Sequence, residues 1–198
     1  MHTPILGTFF LASVQEIQEG ANWYRNANCI AEAIAIKTGL SIRKVAGAMA
    51  ALSPRNRWER NCIDAEQLCL LYSVDGVDAA KQLKVSTFNG NKQKALDILQ
   101  SEEDAIETIL NGRKIVAFFH CILDEDDVCI DGHAYSIWLG NRVVTTKTPK
   151  ISAKLYDAIA WDYDLATLTI NKIMGTDYTS AQIQAITWTV HRNLYQGK

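Results

Sequence analysis

"LNGRKIVAFFHCILDEDDVCIDGHAYSIWLGNR", residues 110–142, holds two helical patterns with five carboxylates between them, the last set apart from the others by an apolar triplet. Asn111–Gly112 predicts a tight turn, because both residues tolerate the left-handed backbone such a turn needs. Arg113 to Leu123 predicts a helix, and four acids follow it: Asp124, Glu125, Asp126 and Asp127. That run predicts a solvated turn. Val128, Cys129 and Ile130 form an apolar triplet expected to be buried, and Asp131 stands at its exit. Beyond it, His133 to Leu139 predicts a short helix closed by Gly140. Asp131 therefore has two uses open to it. It can cap that helix through the N–H of His133 or Ala134, or it can be a placed catalytic group.

Upstream, Trp23, Ala27, Ile30 and Ile34 recur at helical spacing up to Gly39. Ser41 is placed to cap a helix whose apolar face runs Ile42, Val45, Ala46, Met49 and Leu52, before Ser53–Pro54 breaks it. Trp58, Cys62, Ala65, Cys69 and Tyr72 mark a third face, and "SVDGVD" (73–78) predicts a turn. "AAKQL" and "NKQKALDILQ" follow as short segments, and Ser101 with Asp104 resembles a capping arrangement opening "EDAIETIL". The first twenty residues read as one helix and not as a signal peptide, since no basic residue precedes their apolar patch. Downstream, helices are expected over about 150–162 and 165–174, the second ended by Gly175, and from near Thr179 to Tyr195. No alternating stretch predicts a sheet, and Val143–Val144 is too short to build one. The expected fold class is all-α.

Composition sets the outer limits. A content of 48% hydrophobic and 21% charged residues is that of an ordinary globular protein, and 198 residues make one unit or two small lobes. No apolar run approaches the ~20 residues that span a bilayer, so no membrane partner is expected. Five scattered cysteines point to reduced thiols in an intracellular, cytoplasmic protein. Without a CxxC pair, and with four histidines far apart, neither a metal nor another cofactor is expected. The net charge is −2, yet Lys37, Arg43, Lys44, Arg55, Arg57 and Arg60 are interrupted by Glu59 alone. Lys84, Lys92 and Lys94 form a second basic group, and Arg142, Lys147, Lys150 and Lys154 a third. Such loops fit a binder that touches phosphates from a few points, and equally a set of solvated side chains.

Taken together, residues 110–142 resemble the helix-hairpin-helix base-excision DNA glycosylases (the HhH-GPD superfamily). In that family a glycine-containing hairpin leads into a helix starting G-R-K or similar, and an apolar V-x-V-D-x-H segment follows. Here Lys114 and Asp131 are 17 positions apart, and His133 follows at the matching offset. "GAMAALSPRNRWERNCIDAEQL" is similar to the family's early helix, wedge loop and next helix, and "TFNGNKQKALDIL" to its G-x-x-x-x-K-A-x-x-I segment. The match covers about residues 42–142 in preserved order. The hairpin departs from the usual L-P-G-V-G, being a shorter Leu110–Asn111–Gly112, and the iron–sulfur cysteines of some relatives are absent.

The resemblance implies a single globular unit (1–198) of two helical lobes around a cleft. Residues 42–142 would form the glycosylase-like lobe, with its shortened hairpin near 110–114, and 1–41 with 143–198 the other. It implies a monomer acting on duplex DNA with an extruded base. Asp131 would stabilise the sugar cation that forms as the N-glycosidic bond breaks, and Lys114 would attack C1′ and form a Schiff base in a bifunctional enzyme. Lys114 as a phosphate contact or a solvated lysine is the plainer alternative. Arg55, Asn56 and Arg57 would wedge into the duplex, with Lys92, Lys94, Asn111, Gly112 and Arg113 on nucleic acid. Trp58, His133 and Trp188 are pocket candidates, each with core packing or orientation of neighbours as the competing use. A base-hypermodifying enzyme on the same fold, or a non-enzymatic DNA-binding or protein-interaction module, are the other functions considered.

Overall fold

The computed structural model describes residues 2–143 and 147–195, and every regular element among them is helical. Val144 lies outside the described residues. The chain condenses into two compact units, one of residues 25–124 and one of 1–24 with 125–198. The sequence-derived division at 42 and 142 runs differently. Asp131 goes with the chain ends, and the hairpin at 110–114 goes with the other unit.

The unit 25–124 is organised around α4 (Ile42–Leu52), whose every residue from Val45 to Leu52 is buried. Ser41 caps it as expected, its hydroxyl accepting from the N–H of Lys44. The run Ala46–Gly47–Ala48 and Ala50–Ala51 keeps the helix slim. Four helices then pack on it: α5 (Trp58–Gln82), α6 (Asn89–Gln100), α7 (Ile106–Leu110) and α8 (Arg113–Ile122). A side chain at Gly47 would meet methyl carbons of Ile98 and Ile106 at 3.0 Å. The expected turn at 73–78 appears as a kink in α5 at Gly76, with φ 81°. The expected cap at Ser101 does not form. Its hydroxyl donates back to Ile98 O, closing α6, and the chain enters α7 through a 3-10 turn at Glu103–Ala105. Most of α3 (Trp23–Thr38) also lies in this unit, ended at Gly39 (φ 71°).

In the other unit the opening is two helices, not one: α1 (Thr3–Phe10) and α2 (Val14–Ala21). Ser13 is the reason. It accepts from the Glu16 N–H while the Glu16 carboxylate accepts from the Ser13 N–H, a capping box that starts a new helix. The two helices expected over 150–174 are one, α10 (Ala153–Met174), since no glycine or proline interrupts it before Gly175 (φ 65°). The last helix, α11 (Ser180–Tyr195), packs on α1, α2, α10 and α9 (Gly132–Leu139).

Val128, Cys129 and Ile130 are buried without belonging to a helix or strand. Their backbone is satisfied by a side chain. The Tyr156 hydroxyl donates to Val128 O at 2.8 Å and accepts from the Ile130 N–H at 3.0 Å.

Two substitutions test this packing. A Cβ at Gly20 would lie 2.4 Å from Ile186 Cα, backbone against backbone. Helix propensity alone favours Gly20→Ala by about 1 kcal/mol. We expect the opposite sign, a loss of about 2–3 kcal/mol in urea unfolding, because no rotamer change relieves the clash. Tyr156→Phe leaves the Val128 carbonyl and the Ile130 N–H buried without a partner. Its expected cost is about 2–4 kcal/mol at an unchanged m-value.

Candidate functional site

Asp131 is the N-cap of α9, and one oxygen, Oδ1, accepts from the Ala134 N–H at 2.8 Å. The capping use is therefore real. It engages half of the carboxylate: Oδ2 makes no hydrogen bond among the described residues. The carboxylate is half-buried. Its charge reaches Tyr163 on α10, whose fully buried phenol is pushed up by burial, with Asp131 adding to the rise and a hydrogen bond with Thr187 opposing it. That bond links Tyr163 Oη and Thr187 Oγ1 at 3.5 Å.

His133, in the first turn of the same helix, meets a residue 58 positions away: its Nδ1 lies 3.1 Å from Nδ1 of His191 on α11. The other nitrogen of His191, Nε2, lies 3.2 Å from Oγ of the buried Ser136. Ser136 in turn donates to Asn141 O and accepts from the Val143 N–H, each at 2.8 Å. Burial, then the neighbouring His133, holds the His191 imidazole below its ordinary value, and Asp131 pulls in the opposite direction. Trp188, one turn before His191, stands edge-on to His133 (centroids 6.2 Å) and to Trp23 (6.1 Å), with Arg192 over its ring at 4.6 Å. Gln184 accepts from the Tyr24 hydroxyl at 3.0 Å.

Three of the residues singled out from sequence, Asp131, His133 and Trp188, thus belong to one cluster in the unit 1–24 with 125–198. His191, Ser136, Tyr163 and Thr187 complete it and escaped sequence reading. A signal existed. Gln184, Thr187, Trp188 and His191 fall at i, i+3, i+4 and i+7, a polar stripe on an otherwise apolar helix face.

The remaining candidates lie in the unit 25–124. Asn111 takes the left-handed conformation (φ 46°) and with Gly112 (φ 155°) forms the turn between α7 and α8, so a helical hairpin exists. Arg113 and Lys114 are exposed in the first turn of α8. Lys92 and Lys94 have other employment. Lys92 donates to Lys81 O and Leu83 O at the end of α5, and Lys94 to Leu110 O at the end of α7.

The basic run 37–60 is similarly answered by acids that lie outside it, three of them distant in sequence and one a single helical turn away. Lys37 pairs with Glu66, Arg43 with Glu103 and Glu107, and Arg60 with Asp64. Lys44 donates to Leu99 O. Arg55 and Arg57 remain exposed without an ion pair among the described residues. Their loop is held from below. The fully buried Asp64 accepts from Asn56 Nδ2 (3.1 Å), Arg60 Nε (2.9 Å) and the Ser86 N–H (2.8 Å). Arg55 sits at φ 58° with its guanidinium 5.6 Å from the centre of the Phe88 ring. Trp58 packs edge-on against Phe118 at 6.1 Å, and His120 meets Glu107 at 3.2 Å.

Among the described residues no three His, Cys, Asp or Glu are grouped to hold a metal ion, and no helix is long and apolar enough to cross a membrane. Cys69, Cys121 and Cys129 are buried and Cys29 is exposed. Burial pushes the Cys69 thiol up to about 12 and, with Glu59 adding, the Cys62 thiol to about 11, so neither is a thiolate nucleophile near neutral pH.

Comparison with curated proteins and with solved structures gives no match. A family model does match, over residues 1–195, so nearly the whole chain is covered. The protein belongs to the family described as "Family of unknown function (DUF7178)".

Proposed function

We propose that the protein is a DNA glycosylase-like enzyme that cleaves the N-glycosidic bond of an extruded modified or damaged base. The observation that carries this reading is the divided carboxylate of Asp131. Oδ1 is fixed by the Ala134 N–H, and Oδ2 has no hydrogen bond among the described residues. A cap uses one oxygen and gains from the negative charge at the helix start, and it leaves the second oxygen available for further work. A group that must face a sugar cation needs a fixed charge with one oxygen in reserve.

The aromatic and imidazole surroundings support the same use. Trp188 and His133 bring aromatic and imidazole rings into the cluster of the acid, the kinds of side chain that grip an unstacked base. The helical hairpin at Asn111–Gly112, with exposed Arg113 and Lys114, and the pinned loop with Arg55 and Arg57 are assigned to the phosphates. Lys92 and Lys94, engaged with helix-end carbonyls, are not. A duplex of DNA acted on by a monomer remains the partner proposed. Lys114 is assigned lyase chemistry only if it can be trapped on the sugar.

The test is release of free base from a panel of duplexes carrying damaged and modified bases, with borohydride present in a parallel series. Asp131→Asn keeps an acceptor for the Ala134 N–H, so folding and DNA binding should be preserved while base release falls by at least about a hundredfold. A folded Asn variant with full activity would reduce Asp131 to a cap. A covalent adduct lost in Lys114→Gln would make the enzyme bifunctional, and release without an adduct would make water the nucleophile. DNA binding with neither product on any duplex would leave a binding module.

A further inference from the structure

We propose that His133 and His191 form a tautomer-locked proton relay, anchored on Ser136, that presents Nε2 of His133 as the proton acceptor of the Asp131 site. The lock follows from counting hydrogens. A serine hydroxyl has one hydrogen and two lone pairs. Ser136 gives its hydrogen to Asn141 O, and the Val143 N–H fills one lone pair. Nε2 of His191, 3.2 Å away, must bring its own hydrogen to the second. Neutral His191 is then the Nε2–H tautomer, and its Nδ1 is an acceptor. Nδ1 of His133, 3.1 Å from it, is the donor. That leaves Nε2 of His133 with a lone pair and no hydrogen-bond partner among the described residues.

The pair holds one positive charge comfortably and two badly. A second proton would set two N–H groups against each other across 3.1 Å. The charged groups around the pair act in both directions. Asp131 at the cap of α9 favours charge, and Arg142, stacked over Tyr195 at 4.5 Å, opposes it. Arg192 lies over Trp188, and the buried Tyr163 on α10 stays neutral.

The chemical step rests on the glycosylase reading. Nε2 of His133 takes a proton from a water molecule as the water oxygen bonds to C1′ of the sugar. The C1′–N bond breaks, its electron pair leaves with the base, and the base nitrogen takes a proton from solvent. His133 then returns its proton to solvent, so the net change is addition of water across the C1′–N bond. Asp131 steadies the sugar cation and moves no proton.

The closing experiment reads the relay and the chemistry separately, on the full chain. Nitrogen-15 NMR of labelled histidine at neutral pH should find His133 as the Nδ1–H tautomer and His191 as the Nε2–H tautomer. Ser136→Ala should release the lock and mix the tautomers of both. His133→Asn keeps an N–H where Nδ1 was and removes the base. It should fold, preserve the His191 tautomer, and slow base release by about 10²–10⁴-fold with loss of the acidic limb of the pH profile. Finding both histidines as Nε2–H tautomers in the unaltered protein would overturn the relay. An Asn variant with unchanged rate and pH profile would overturn the proton-acceptor role while leaving the glycosylase reading intact. Correct tautomers with no base released from any duplex would sink the glycosylase reading and the water step with it, leaving the relay as a structural fact.

Discussion

The close approach of α2 to α11 is the constraint on which the unit of the chain ends depends. Gly20 lets the two backbones meet where any other residue would hold them apart, and the contact falls on Ile186. Thr187 and Trp188 follow immediately, and His191 stands little more than a turn further on. The depth of α11 is therefore set by a residue with no side chain, and the polar stripe inherits its position from that depth. A shift of α11 by an ångström would carry Thr187 away from Tyr163 and His191 away from both His133 and Ser136. Packing here does the positioning, and the hydrogen bonds read it out.

In the unit 25–124 the equivalent role belongs to α4 and to one buried acid. The slim helix α4 lets four others converge on it, and Asp64 ties the loop before α5 to the one before α6. Because Asp64 is wholly buried, it stays in place only with all three of its donors present. The loop carrying Arg55 thereby keeps a left-handed residue that a free loop would relax. Such a loop meets a partner with its shape already fixed, so less conformational entropy is lost on binding.

Much of this was legible in the sequence, and the failures are instructive. Helix ends marked by glycine at 39, 140 and 175 stand where expected, as does the Ser41 cap, because those signals act within a few residues. The Asn111–Gly112 turn and the dual position of Asp131 were equally local. Ser13 carried the same kind of signal, a serine with a glutamate three residues on, and was passed over inside an apolar run. The excess of basic charge at 37–60 is smaller in the fold than in the sequence for the opposite reason. Its partners Glu66, Glu103 and Glu107 lie outside the segment, and one-dimensional charge counts are blind to that. His191 is announced in the sequence only by its place on the stripe with Gln184, Thr187 and Trp188, and its pairing with His133 is made by the fold.

The tyrosine that serves Val128 and Ile130 has a consequence beyond stability. A short run of β-branched and apolar residues with free backbone groups is a template for another strand, and sheet proteins protect such edges by pairing or covering them. Here one phenol hydroxyl stands in for the missing strand, taking a carbonyl and an N–H at once. An otherwise helical protein can thereby carry a buried segment without regular structure right before Asp131, with a carbonyl and an N–H of that segment both satisfied.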